Sequence, residues 1–135
     1  MIMNGTPFKK TKNQGEVKLL GKFRIAIATN EKNGLGDVVS NVFGRAKTFT
    51  IIDVEDENIT DVRILENSAV SYHHGAGPIA VKMLLDEGVE VVLANELGIG
   101  ASELLKQHNV TIIPVKPGTK VEEAAKKALH TFKDK

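Results

Sequence analysis

Apolar and polar positions fall into short β-branched blocks through the first half of the chain and shift to a helical period in the second. Phe23-Arg24-Ile25-Ala26-Ile27-Ala28-Thr29 reads as a first strand. A long glycine-bearing connection follows from Asn30 to Lys47, in which Ser40 is placed to cap a brief helical turn through Val42 and Phe43. Thr48 to Val54 and Ile59 to Leu65 read as a hairpin joined at the acidic turn Glu55-Asp56-Glu57-Asn58. After a second glycine-bearing connection, Glu66 to Gly77, the spacing predicts a helix from Pro78 to Glu87, with Pro78 suited to the first turn and Gly88 as its stop. Val89 to Ala94 is almost wholly apolar, as a parallel strand buried on both faces must be. A third glycine loop, Asn95 to Gly100, leads into a helix with Ala101, Leu104, Leu105 and His108 at i, i+3, i+4 and i+7. Val110 to Val115 is the last strand, and Pro114 places it at a sheet edge or at a strand end. Thr119 and Glu122 are spaced as a capping box for a closing helix. Val121, Ala124, Ala125, Ala128, Leu129 and Phe132 form that helix's apolar stripe.

The order β-β-β-α-β-α-β-α specifies an α/β protein with a five-stranded mixed sheet. With right-handed crossovers, the first, third, fourth and fifth strands are parallel. All three glycine loops then leave from the carboxyl ends of parallel strands, where open α/β sheets bind their ligands.

Composition narrows the chemistry. The chain has 135 residues, enough for one domain, with 41% hydrophobic and 26% charged positions. It has no cysteine, which excludes a disulfide framework, a thiol nucleophile and a cluster held by cysteine sulfurs of this chain. Aromatic residues are 4% with no Trp, so a base-stacking platform is not expected. The longest apolar run, Val91-Val92-Leu93-Ala94, is strand-sized, and a cytoplasmic protein with no membrane partner is the expectation. Charge is uneven: residues 1–24 carry six basic groups against Glu16 alone, while the rest carries 12 basic and 16 acidic groups. Residues 1–22 therefore read as a flexible basic extension, or an arm that touches a partner, ahead of a single domain over residues 23–132. The acidic body argues against nucleic acid as a partner.

Candidate chemistry sits in the three loops. In the first, Gly34 and Gly36 let backbone N–H groups approach a ligand and Arg45 offers a rigid fork to oxyanions; a long turn with a solvated Arg45 explains the same residues. The second holds His73, His74, Gly75 and Gly77 just before a helix start, where free N–H groups and the helix dipole favour anions. His73 and His74 are candidate metal ligands, although neighbours in an extended segment point to opposite sides, and one exposed and one capping histidine is the competing reading. The third puts Asn95, Gly98 and Gly100 at another helix start, with Glu96 opposing a strongly anionic guest, and a purely structural turn as the alternative. His108 and His130 read as structural or solvated. The first strand has no carboxylate for paired-metal chemistry, and no Gly-x-Ser-x-Gly elbow appears, so a non-catalytic protein is expected.

The stretches Arg24-Ile25-Ala26-Ile27-Ala28, Phe43-Gly44-Arg45-Ala46, His74-Gly75-Ala76-Gly77, Gly88-Val89-Glu90-Val91-Val92 and Leu97-Gly98-Ile99-Gly100-Ala101, in this order, resemble the nitrogenase iron–molybdenum cofactor biosynthesis family, the domain of NifX- and NafY-type carriers and of the NifB C-terminus. The resemblance spans roughly residues 23–132. It implies a ribonuclease-H-like three-layer fold and reversible carriage of an anionic iron–sulfur or molybdenum-containing cluster, with a cofactor-assembly or recipient protein as partner. Val42 stands where members often carry a histidine, and Ile99 where they often carry a proline. A phosphate- or nucleotide-binding regulatory module is the rival expectation for the same loops. A nuclease, suggested by fold analogy alone, would depend on Asp37.

Overall fold

Ile25, Ala26, Ile27 and Ala28 all have no exposed surface. Side chains alternate across a strand, so this segment needs cover on both faces and belongs at the centre of a sheet. The computed structural model describes residues 8–13 and 16–133. Its elements are β1 (Phe8–Asn13), β2 (Glu16–Thr29), β3 (Thr48–Glu55), β4 (Asn58–Glu66), α1 (Ala76–Asp86), β5 (Val91–Ala94), α2 (Ile99–Gln107), β6 (Thr111–Pro114) and α3 (Val121–Lys133). Five strands run in the order β4-β3-β2-β5-β6, and β1 pairs with the early part of β2. β3 lies antiparallel to both β2 and β4, whereas β2, β5 and β6 are parallel, giving the expected mixed sheet.

Period-two alternation sorts the core into two layers. Ala26, Ala28, Phe49, Ile51 and Val92 face α1 and α2, against Ala80, Val81, Leu84 and Leu105. Ile25, Ile27, Ile52, Val91 and Leu93 face α3, against Val121, Ala124, Ala125 and Ala128. The small alanines of α3 let the helix lie close to the sheet.

Several boundaries differ from the sequence expectation. β2 begins at Glu16, not Phe23, because its early half pairs antiparallel with β1, from Phe8 opposite Gly21 to Asn13 opposite Glu16. This hairpin forms where an extension without regular structure was expected; backbone pairing needs no apolar period to announce it. Residues 1–7, 14 and 15 of that extension lie outside the described residues. No helical turn follows Ser40; its hydroxyl accepts from the Val42 N–H at 3.1 Å, and the short helical turn of this loop is a 3-10 turn at Gly34–Gly36. The capping box is not formed, since α3 starts at Val121, two residues after Thr119. The Val121 N–H donates to the Asp37 carbonyl at 2.9 Å, and Glu122 faces Lys126 at 3.5 Å. Pro114 meets both expectations at once, as the last residue of the edge strand β6.

At the amino ends of the parallel strands, Arg24 ties three segments together. Its Nε and Nη2 donate to the two Asp53 oxygens at 2.6 and 3.3 Å, and Nη1 donates to the Glu87 carbonyl at 2.5 Å. The Arg24 N–H donates to Glu90 Oε1 at 3.0 Å. Burial pushes the Glu90 carboxyl up to about 7, outweighing the Arg24 N–H and the Arg24 charge, which hold it down. The folded protein thus binds the Glu90 proton more tightly than the unfolded chain does. That contribution is complete below the ordinary glutamate range and is lost as pH rises through about 7. Chemical denaturation at pH 5 and pH 8 is expected to show it as a loss on the order of 2 kcal/mol, already discounted for partial solvation. Glu90→Gln is expected to flatten this dependence and to stabilise the protein at the higher pH.

Candidate functional site

Because β4 is antiparallel to β3 and β3 to β2, the loops after β2, β4 and β5 all leave from one end of the sheet. They surround an open trough of about 800 Å³, lined from the first loop by Phe43, Gly44 and Arg45, from the second by His73 to Gly77, and from the third by Glu96, Leu97 and Gly98.

Each loop is shaped by backbone hydrogen bonding to a side chain. In the first, the buried Asp37 carboxylate accepts from the Glu31, Asn33 and Val38 N–H groups at 2.8–3.3 Å, closing the turn after β2. Its oxygens accept from backbone amides of the turn, and Asp37 is not among the residues that line the trough. Phe43 is buried edge-on against Phe49 with ring centroids 5.3 Å apart. In the second, the Asn67 amide, 3% exposed, donates to the Gly44 and Ala46 carbonyls at 2.9 and 2.7 Å and accepts from the Ala69 N–H at 2.9 Å. One side chain thereby stitches the first loop to the second.

The contact between those loops is also steric. A Cβ on Gly44 would lie 2.7 Å from the Gly77 nitrogen and 2.8 Å from its Cα, so only glycine lets the first loop rest on the start of α1. Arg45 completes the joint: Nη2 donates to the His73 carbonyl at 2.7 Å and Nη1 to the Val70 carbonyl at 3.3 Å. The guanidinium is a brace for the second loop as well as a charge beside the trough.

Two helix starts meet at the rim. α1 is capped by Gly75 in the left-handed region, with φ +76°, and α2 by Gly98 in an extended conformation. Neither cap residue has a side-chain hydrogen bond to its helix, and neither helix has an acid in its first turn. The first intrahelical donors are Ile79 N–H to the Gly75 carbonyl and Ser102 N–H to the Gly98 carbonyl, so the residues before them in each helix donate to no carbonyl of their own helix, and Pro78 has no N–H to offer. Two positive helix ends with unengaged donors make an anion-binding geometry. The His73 and His74 side chains are exposed on this rim. No group of three or more His, Asp or Glu side chains able to hold a metal ion exists among the described residues. The chemistry available is hydrogen bonding to anionic ligand atoms, with one or two imidazoles at the margin.

The structure therefore brings together Arg45, His73, His74, Gly75, Gly77 and Gly98. It does not bring the other four candidates to the trough. Gly34 and Gly36 form the 3-10 turn, where a Cβ on Gly34 would meet Val62 of β4, at 3.6 Å. Gly100 lies inside α2, where a Cβ would meet the Pro78 ring at 3.6 Å. The Asn95 amide donates to the Asn41 carbonyl at 3.4 Å, bridging third loop to first. Gly44, Asn67 and Leu97 were missed as site residues, although Phe43-Gly44-Arg45 stood out as a motif. His108 caps α2, with its ring Nδ1 2.9 Å from the Leu104 carbonyl, and His130 is exposed on α3.

A family model described as dinitrogenase iron-molybdenum cofactor matches residues 22–131. The fold is similar to the apo form of the orange protein from Desulfovibrio gigas, with 26% identity, a TM-score of 0.73, and 82% of this chain and 89% of that chain covered. It is also similar to a protein from Thermotoga described as a putative NifB protein, with 37% identity, a TM-score of 0.62, and 76% of this chain and 83% of that chain covered. Among curated proteins, an uncharacterized protein of Methanocaldococcus jannaschii is 27% identical over 84 residues, 62% of this chain and 70% of its own length.

The joint between the first two loops is testable by denaturation. Gly44→Ala is expected to cost about 2–3 kcal/mol, because backbone on the opposite side must move away. Asn67→Ala is expected to cost about 2–4 kcal/mol by leaving two carbonyls without donors. Gly98→Ala, which meets nothing within 4 Å, is expected to change stability by less than about 0.5 kcal/mol.

Proposed function

The chain belongs to the dinitrogenase iron-molybdenum cofactor family, and from that premise we propose that it is a non-catalytic carrier for an anionic iron–sulfur or molybdenum-containing cluster, taken up reversibly at the rim. One observation carries the proposal: two glycine-capped helix starts, free of acids and of side-chain caps, open onto the trough that the three loops surround.

The physical fit follows from the donor set. Sulfide or oxo groups on the outside of a cluster are acceptors, and the first-turn N–H groups of α1 (apart from Pro78, which has none) and of α2 have no competing side-chain cap. His73 or His74 can ligate one exposed metal, or donate to an anion when protonated. Arg45 adds positive charge while holding the backbone of the second loop in place. With no cysteine in the chain, nothing in this set makes a thiolate bond to the cluster, so the guest is held weakly enough to be passed on. Glu96 at the edge of the trough opposes excess negative charge and favours release. The carrier reading includes a cofactor-assembly or recipient protein as partner and a cytoplasmic setting; no helix among the described residues is long and apolar enough to cross a membrane. It also treats the sheet, with helices on both faces, as a ribonuclease-H-like three-layer arrangement.

The test is anaerobic incubation with a synthetic iron–molybdenum–sulfur cluster followed by gel filtration and metal analysis. Metal is expected to co-elute with the wild-type protein. The His73→Ala/His74→Ala double variant is expected to retain severalfold less. Arg45→Ala is expected to lose about tenfold in affinity, through the released second loop as well as the lost charge. No co-elution, or retention untouched by these variants, overturns the carrier reading. Thermal stabilisation by inorganic phosphate or nucleotides without stabilisation by cluster would establish the regulatory module in its place.

A further inference from the structure

A second cavity, of about 350 Å³, opens at the opposite end of the sheet, beside Arg24. Its volume falls within the roughly 300–1,000 Å³ range of small-molecule sites. It is walled by β2, β3 and the segment from Gly88 to Glu90 that joins α1 to β5, with Thr60 of β4 at its side. Arg24 and Asp53 satisfy one another there through two hydrogen bonds.

What remains is one cationic and two carboxylate groups without side-chain partners among the described residues. Lys22 and Glu55 stand opposite each other across the β2–β3 ladder, and neither enters an ion pair among the described residues. Glu90 accepts the Arg24 N–H on Oε1, while Oε2 is buried and makes no hydrogen bond. A glutamine would accept the same N–H without a buried charge, so the carboxylate is a cost that Arg24 alone does not explain. A bare anion entering here would meet Asp53, Glu55 and Glu90. A bare metal ion would meet Lys22 and Arg24, and no three carboxylate or imidazole side chains among the described residues are arranged to hold one.

We propose that this cavity binds a small zwitterion, its ammonium donating to Glu90 Oε2 and Glu55 and its carboxylate accepting from Lys22. The backbone of Phe23 and Val54, whose side chains turn to the α3 face, forms the wall between the two charges. An ammonium beside Glu90 favours its carboxylate form, so binding releases a proton wherever the free protein still holds it. The groups that face this carboxyl are Lys22 and Arg24 from β2, Asp53 and Glu55 from β3, and Glu87 from the end of α1, which acts through Arg24. Burial pushes Glu90 itself up to about 7, so affinity rises with pH through that range.

Isothermal titration of the full chain with glycine, β-alanine, γ-aminobutyrate and 5-aminovalerate tests this, with methylamine and acetate as single-charge controls. One length in the series is expected to saturate, and the controls to bind at least about tenfold more weakly. Glu90→Gln and Lys22→Gln are each expected to weaken binding about tenfold, and affinity is expected to fall between about pH 8 and pH 6. Thermal melts check that both variants fold; Glu90→Gln removes a buried charge and Lys22 is exposed. Absence of saturable binding by all four amino acids overturns the proposal. So does methylamine or acetate binding equally well, or binding indifferent to both substitutions.

Discussion

The rim depends on a backbone-to-backbone approach between Gly44 and the start of α1. No side chain fits in the gap, and Asn67 closes it from below by bonding the Gly44 and Ala46 carbonyls. From this seat Phe43 points into the core and Arg45 points along the rim to the carbonyls of the second loop. Remove the close approach and the first loop loses its floor, the second its brace, and the α1 start its neighbour. The sheet would survive, since its core lies elsewhere, on the alternating faces of β2, β3 and β5. Fold and site are thus held by different forces: apolar burial for the first, a handful of satisfied backbone polar groups for the second.

The two ends of the parallel strands divide the electrostatic labour. At the carboxyl ends, helix starts, Arg45 and two exposed histidines face Glu96 alone among the acids of the trough. At the amino ends, Arg24, Asp53, Glu87 and Glu90 form a dense network of both signs. The body of the chain is acidic overall, yet two positive helix termini open onto the trough beside Arg45 and a single acid, Glu96. That local reversal of sign comes from topology, because parallel strands followed by helices aim successive helix starts at one rim.

Topology was legible for the same reason. Short apolar strands, a hairpin turn and two amphipathic helices are local patterns, and they suffice to put the glycine loops on one side. What escaped was long-range or backbone-only. Asn67 reaches carbonyls more than twenty residues away, and nothing in its neighbourhood marks it as buried. The β1–β2 pairing carries no alternation that sets it apart from a loop. Gly34 and Gly36 looked equivalent to Gly75 and Gly98 because a glycine shows only that backbone freedom is used, not what it faces. Their 3-10 turn bends towards β4, away from the trough. Thr119 and Glu122 had the right spacing for a cap, but Asp37 holds the first amide of α3 and sets where that helix starts.

Both margins of the sheet end in ways that discourage a further strand. β6 finishes on Pro114, which has no N–H to offer an incoming chain. β4 carries Asp61, Arg63 and Glu66 along its length, charges that would be desolvated by edge-to-edge docking. Edge-to-edge pairing along β4 or at the end of β6 is therefore disfavoured, by charges on the one and a missing N–H on the other.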